Sequence, residues 1–320
     1  MHHSANVITR AALVIACVLA PASATSQTAG ATPRDTATAR LMSRISALAA
    51  DSMEGRRAGT PGSKRARRWI IAQLTAMGAK PAGQSFEQFV KLPPREGLDT
   101  AGANIVVRIA GRNSNGPVLV ASAHYDHLGV REGQVYNGAD DDASGCVALL
   151  TIAERLLRQP PQHDVILAFV DAEESGMHGS RTLVTAPPVP LSRIAVNINL
   201  DMISRQDTKA LWVAGTSHYP FLKAPAETVA KGSAIPIKFG HDTKDLKPGD
   251  DWTNSSDHRA FHDKRVPFLY LGVEDHADYH KPGDDADKID PEFYRSAVDF
   301  AYRLLRALDE RLESFPARTP

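Results

Sequence analysis

Cysteine is nearly absent. Cys17 and Cys146 are the two in 320 residues, so neither a disulfide framework nor a thiolate metal cage can stabilise this chain. An excess of charge of either sign is missing as well, since 37 Lys and Arg balance 37 Asp and Glu. Without a global field, nucleic acid is not an expected partner and an anionic membrane surface is not an expected target; a charged ligand has to be met locally. Long hydrophobic runs are also lacking. The apolar stretch at residues 11–20 (AALVIACVLA) would reach only ~15 Å as a helix, about half the hydrocarbon core of a bilayer, which excludes stable membrane insertion. Repeats and low-complexity tracts are absent, and 22 Gly with 21 Pro imply many loops rather than a fibrous chain. What is present, 42% hydrophobic and 23% charged residues, is enough to bury a substantial core.

The same apolar stretch has a different use. It follows Arg10 and precedes Pro21-Ala22-Ser23-Ala24, the pattern of a secretory signal peptide cleaved after Ala24. A competing reading lipidates Cys17 behind Val14-Ile15-Ala16 to give a lipoprotein, but the apolar run continues through Leu19-Ala20 and leaves too short a segment before the cysteine. Residues 1–24 are therefore expected to be removed, and the protein to be secreted or periplasmic. Residues 25–39, rich in Thr, Ala, Gly and Pro, read as a disordered tether, with one domain over residues 40–315. Cys146 lies in an apolar helical pattern and reads as a small core residue.

Leu41, Ile45, Leu48 and Ala49 recur at helical spacing, and after the Gly/Arg-rich link 54–62 so do Trp69, Ile70, Leu74 and Met77. From there the chain alternates. Apolar, β-branched runs at 104–109, 118–123, 165–170, 194–200, 211–214 and 267–271 are separated by helical patterns such as 144–157 and 221–230, and an amphipathic segment at 291–312 closes the domain. The runs at 118–121 and 165–170 are continuously apolar, as central strands covered on both faces are. The expected class is α/β: a single-domain three-layer α/β/α sandwich whose mixed, mostly parallel central sheet carries helices on both faces.

Open α/β sheets place ligands at the carboxyl ends of their strands. Here one run ends in His124-Tyr125-Asp126-His127, another in Asp171-Ala172-Glu173-Glu174, a third in Asp201, and the loop 138–145 holds Asp140-Asp141-Asp142 ahead of a helix. Singly, each has a bland explanation as a helix cap or solvated loop. Converging on one sheet edge, the carboxylates would repel one another without a cation. Histidine with carboxylates and no thiolate suits zinc first, then manganese or cobalt. On an extended segment His124 and Asp126 share a face, so Asp126 can accept the second imidazole N–H. Glu173 and Glu174 diverge, so one can bind metal while its neighbour reaches a water.

These segments together are specific. His124-Tyr125-Asp126-His127-Leu128-Gly129, Gly138-Ala139-Asp140-Asp141-Asp142-Ala143-Ser144-Gly145, Asp171-Ala172-Glu173-Glu174-Ser175-Gly176, Asn199-Leu200-Asp201-Met202 and Asp278-Tyr279-His280-Lys281-Pro282 resemble, in order and spacing, the metal-site motifs of the secreted di-zinc aminopeptidases of metallopeptidase clan MH. That family also contains glutamate carboxypeptidases and is related to animal glutaminyl cyclases. Residues 54–62 and Ser256-Asp257-His258 look like family segments too. The resemblance implies two Zn2+, with Asp141 bridging, His124 and Asp201 completing the first site and Glu174 and His280 the second. Glu173 would be the general base, and Tyr279 matches a position that in some members stabilises the oxyanion. Asp140 and Asp142 flank the implied bridge.

The resemblance thus points to an exported zinc aminopeptidase acting on peptide substrates. A glutaminyl cyclase-like acyltransferase or a glutamate carboxypeptidase is the alternative on the same fold, and a non-catalytic zinc-stabilised binding module the remote one. His163, His178, His218, His241, His262 and His276 fit no motif and are expected at the surface; His127 and His258 receive no ligand role. Residues 242–251 lack calcium-loop spacing and read as a mobile acidic loop over the site.

Overall fold

A computed structural model describes residues 1–2, 33–243, 245–247 and 249–316; most of the signal segment and residues 25–32 of the expected tether lie outside the described residues. The first helix, α1 (Pro33–Leu48), already begins within the expected tether, with Asp35 in its first turn. An acid there complements the helix dipole, and the alternating Ala and Thr that read as low in apolar content are compatible with helix once Leu41, Ile45 and Leu48 dock in the core. A tight turn at Asp51–Arg56 leads to α2 (Pro61–Ala76), which starts where Thr60 accepts the Ser63 N–H and Pro61 fixes the first helical φ.

The strands are β1 (Lys80–Pro81), β2 (Glu87–Lys91), β3 (Ala101–Ile109), β4 (Val118–His124), β5 (Gly129–Arg131), β6 (Gln134–Tyr136), β7 (Val165–Val170), β8 (Ile194–Leu200), β9 (Leu211–Ala214), β10 (Ile237–Phe239) and β11 (Phe268–Gly272). Interleaved with them are α3 (Gly145–Arg158), α4 (His178–Thr185), α5 (Lys223–Ala230), α6 (His258–Asp263) and α7 (Pro291–Asp309). The main sheet runs β1-β3-β7-β4-β8-β11-β9-β10, with β2 on the side of β3. Its centre, β7-β4-β8-β11, is parallel, while β3 and β9 join antiparallel, so the sheet is mixed and mostly parallel at its core. β5 and β6 form a separate hairpin.

Both faces are covered. Val165, Leu167 and Phe169 of β7 pack with α1, α2, α3 and α7, whereas Ile166, Ala168 and Val170 pack with Leu183 and Val184 of α4 and Phe261 of α6. That is the three-layer α/β/α sandwich, and the two-sided burial explains the unbroken apolar runs. Near the carboxyl ends of the central strands the α6 face turns polar: Asn197 donates to Ser122 Oγ at 2.9 Å, Ser122 to Asn199 at 2.6 Å, and Asn199 to Ser256 Oγ at 2.8 Å. Cys146 is buried, its thiol donating to the His124 carbonyl at 3.1 Å. No helix among the described residues is long and apolar enough to cross a membrane.

Candidate metal centre

β4 ends on His124, β7 one residue before Asp171, β8 one before Asp201, and β11 runs into the loop that carries Asp275, Tyr279 and His280. Parallel order brings these ends to one edge. There His124 Nε2 lies 3.2 Å from Asp141 Oδ1 and 3.5 Å from Asp201 Oδ1. On the other side of the same carboxylate, His280 Nε2 lies 3.1 Å from Asp141 Oδ2 and 3.3 Å from Glu174 Oε2. Asp141 therefore offers one oxygen to each of two donor groups. Histidine and carboxylate atoms close enough to share an ion occur twice around it, as His124, Asp141 and Asp201 and as His127, Asp141 and Glu174.

The surrounding chain explains why Asp141, of three consecutive aspartates, faces the site. Asp140 accepts from Ser204 N and Oγ, both at 2.7 Å. Asp142 accepts from His124 N at 3.1 Å and Gly145 N at 2.9 Å, tying β4 to the start of α3. Beneath them Arg56 is fully buried and donates to the carbonyls of Tyr125 (2.8 Å), Leu48 (3.1 Å), Asn137 (2.5 Å) and Gly138 (2.8 Å). One planar guanidinium thus fixes both metal-facing loops by their backbones. Gly55, at φ +58°, lets this segment reach them: a Cβ there would sit 2.4 Å from the Tyr136 carbonyl.

Asp126 differs from expectation. The His124 ring is held through Nδ1 by the Asp126 backbone carbonyl at 3.1 Å, while the Asp126 carboxylate stands 3.7 Å away and accepts the Glu173 N–H at 2.9 Å. The reason is local: β4 stops at His124, so Asp126 no longer shares a face with it by strand alternation. Asp126 braces the Glu173-Glu174 turn instead. Two histidines expected at the surface are buried, His163 against Asp309 and His276 facing Asp140 Oδ2 at 3.2 Å. In the acidic loop, Asp242 is buried and accepts from Gly215 N at 2.7 Å, and Gly249 and Trp252 beyond it line the site.

The electrostatics follow the crowding. Burial pushes the Asp141 carboxyl up, but the His127, His124 and His280 rings outweigh it and hold it well below the usual range. Burial acts the other way on His280, yet Asp141 and Glu174 raise it to about 10. Burial drives Glu173 well above its ordinary value, with the charges of Asp257, Asp201 and Glu174 adding and that of His124 opposing. Asp257 is raised to about 7, again chiefly by burial. It is a buried carboxylate beside the site that the sequence marked only as part of a family-like segment.

The cavity in front of these groups is about 330 Å³. Asp141, Glu173, Glu174, Asp201 and Asp275 line it, and no lysine or arginine does among the described residues. Carboxylates this crowded, faced by the His124, His127 and His280 imidazoles and with the Arg56 guanidinium behind their loop, fit a divalent cation. The donor set of imidazoles and carboxylates without sulfur is one zinc accepts. His127 is a member of this cluster that motif reading passed over; its signal was a second histidine within the same strand-end segment.

Comparison with known proteins points the same way. Peptidase family M28 matches over residues 104–305. Aminopeptidase YwaD of Bacillus subtilis is 30% identical over 194 residues, covering 57% of this chain and 39% of that protein. The chain likewise spans only 31% to 35% of the proteins described as probable zinc metalloproteases from Pyrenophora and Leptosphaeria. A leucine aminopeptidase precursor from Bacteroides thetaiotaomicron superposes with a TM-score of 0.69 over 84% of this chain and 96% of that one, at 19% identity. Porphyromonas gingivalis glutaminyl cyclase gives 0.68 over 84% and 97%, also at 19% identity. At such identity the two structures speak for the fold.

Proposed function

The chain belongs to peptidase family M28, and on that premise we propose that it is an exported exopeptidase with two zinc ions that removes the N-terminal residue of peptides. The observation that carries this reading is Asp141, whose two oxygens each face a separate histidine-carboxylate group. His124, Asp141 and Asp201 would hold one ion, and Asp141, Glu174 and His280 the other. Bound there, zinc supplies Lewis acidity, polarising a carbonyl and making water more acidic.

The protein's own groups supply the rest. Glu173, partly buried and with a raised affinity for protons, takes a proton from the attacking water on its carboxylate and returns it to the departing amine. Asp126 positions it through the Glu173 N–H. Tyr279, stacked on His280 at 4.0 Å, is held protonated by burial and the nearby acids, so its hydroxyl can donate to a developing oxyanion. Glu173 and Asp275, the lining carboxylates not assigned to metal, can meet a substrate's free α-ammonium, and among the described residues no Lys or Arg lines the cavity to pair with a terminal carboxylate, which supports aminopeptidase over carboxypeptidase action. Met202, Trp252, Tyr270 and Val273 on the same wall suit an apolar N-terminal side chain.

The test uses the purified exported protein. Its mass should place the N-terminus at Thr25, metal analysis should find two zinc ions per chain, and aminoacyl substrates should be cleaved in preference to C-terminal glutamyl or N-terminal glutaminyl ones. Release of pyroglutamyl product with one zinc would instead make the protein a cyclase, and a diacylated Cys17 would make it a lipoprotein.

A further inference from the structure

Arg205 has no part in the motifs read from the sequence or in the chemistry proposed above. We propose that it is a positioning residue: through Asp278 it holds the turn that presents Tyr279 and His280 to the second metal position. The inference rests on the metal-centre reading above.

The guanidinium is fully committed. Its side chain is only 8% exposed, Nε and Nη2 donate to the two oxygens of Asp207 at 3.0 and 3.1 Å, and Nη1, the remaining nitrogen, donates to Asp278 Oδ2 at 3.0 Å. A bidentate pair fixes the plane of the fork, so Asp207, two residues further on, aims Nη1 at Asp278.

The chain leading to Arg205 is anchored. From Asp201 onwards it is tied residue by residue to the loop that carries Asp141: Met202 N donates to Asp142 Oδ1 at 3.3 Å, Ile203 N to Ser144 Oγ at 3.0 Å, and Ser204 N and Oγ to Asp140 Oδ1, both at 2.7 Å. Arg205 therefore reaches out from a base built on the ligand-bearing ends of both segments.

The turn it reaches has less support of its own. Residues 273–285 form neither helix nor strand, and around the two side chains the backbone bonds are local, Tyr279 N to the His276 carbonyl at 3.0 Å and Lys281 N to that of Asp278 at 2.9 Å. His280 sits at φ +54°, a left-handed conformation that a residue with a Cβ keeps only where its surroundings hold it. Its side chain is 40% exposed, so the backbone rather than burial has to aim the ring. Gly283 completes the seat, since a Cβ there would lie 2.7 Å from Asp278 Oδ1. Held between Gly283 and Arg205, the Asp278 carboxylate gives the turn a fixed point one residue from Tyr279 and two from His280.

Metal retention by zinc-loaded Asp278→Ala and Arg205→Met proteins tests this without reference to turnover. Release to a chelator should quicken ~10- to 10²-fold for one of the two zinc ions, the range in which residues that orient metal ligands act, while the other leaves as in the wild type. Arg205→Lys, which keeps the charge without the fork, should behave like Arg205→Met. The double variant Arg205→Met/Asp278→Ala should lose no more than the worse single one, because both changes remove the same bond. Asp278 is partly exposed, so its truncation keeps a folded protein in the comparison. Wild-type retention of both ions in Asp278→Ala, equal loss of both, or additive losses in the double variant would overturn this inference alone. Failure of the wild type to take up two zinc ions would overturn it together with the metal-centre reading.

Discussion

Glu173 and Glu174 are adjacent and chemically identical, and their surroundings separate them. Glu174 faces His280 at 3.3 Å and His127 at 2.7 Å, while Glu173 is pushed up by burial near Asp257 and Asp201. Glu173→Gln should keep both zinc ions and lose turnover by ~10²- to 10⁴-fold, as loss of a general base does. Glu174→Gln should lose zinc from the second position, because a neutral amide is a poor ligand for a dication. The variants should look alike in an activity assay and different in a metal assay; a Glu173→Gln protein that keeps most of its activity would remove the base assignment. At this scale the sequence was legible where chemistry differed between neighbours and silent where geometry did. The residues of the cluster could be named, but the bracing roles of Asp140 and Asp142 depend on Ser204, His124 and Gly145, partners distant in sequence or set by the turn. His127 stayed without a role because nothing in a linear reading places it against Glu174.

Elements were legible in proportion to their burial. β4, β7 and β8 are covered on both faces and write continuous apolar runs, so their positions follow from pattern alone. β1, β5, β6 and β10 span two or three residues with exposed positions, too little periodicity to read, and α4 and α6, at eight and six residues, complete barely two turns. The link before α2 looked like a connector, yet it carries the buried Arg56 that ties the turn after α1 to the two loops at the metal-facing edge. Arg56→Met would leave four carbonyls without their donor, and Arg56→Lys would keep the charge without the fork. Both should lower stability, the Met variant by ~3–5 kcal/mol, read from the urea midpoint, with zinc content falling in parallel. A loss under ~1 kcal/mol would show that water replaces the guanidinium and that the loops hold themselves.

For the whole molecule, three layers with strand carboxyl ends on one edge were readable because both sheet faces leave their mark on the sequence. Acid stability was not, since it depends on which ionisable groups become buried. His258 at the start of α6 is wholly buried, donates from Nε2 to the Trp252 carbonyl at 2.8 Å, and packs on Phe268 and Tyr270. Burial, with His262 and His218 adding, lowers its pKa to about 3, against 6.5 for a free imidazole. Between those values the unfolded chain binds a proton that the folded chain refuses, so the stability His258 contributes is complete above pH 6.5 and is lost as pH falls towards 3. From pH 7 to 4.5 that amounts to roughly 2–3 kcal/mol. Asp257, raised to about 7, works in the opposite sense: the folded state binds its proton first, so acidification stabilises it. Zinc ligands, which protonate only when the ion leaves, add a further loss at low pH. His258→Gln keeps a donor for the Trp252 carbonyl and removes the titration, while Asp257 and the metal cluster are common to both chains. The difference between their urea midpoints should therefore isolate His258, with the variant gaining on the wild type by about 2 kcal/mol on going from pH 7 to 4.5. Parallel pH profiles would mean that the folded protein admits the proton, and that the α6 side of the sheet opens to water in acid.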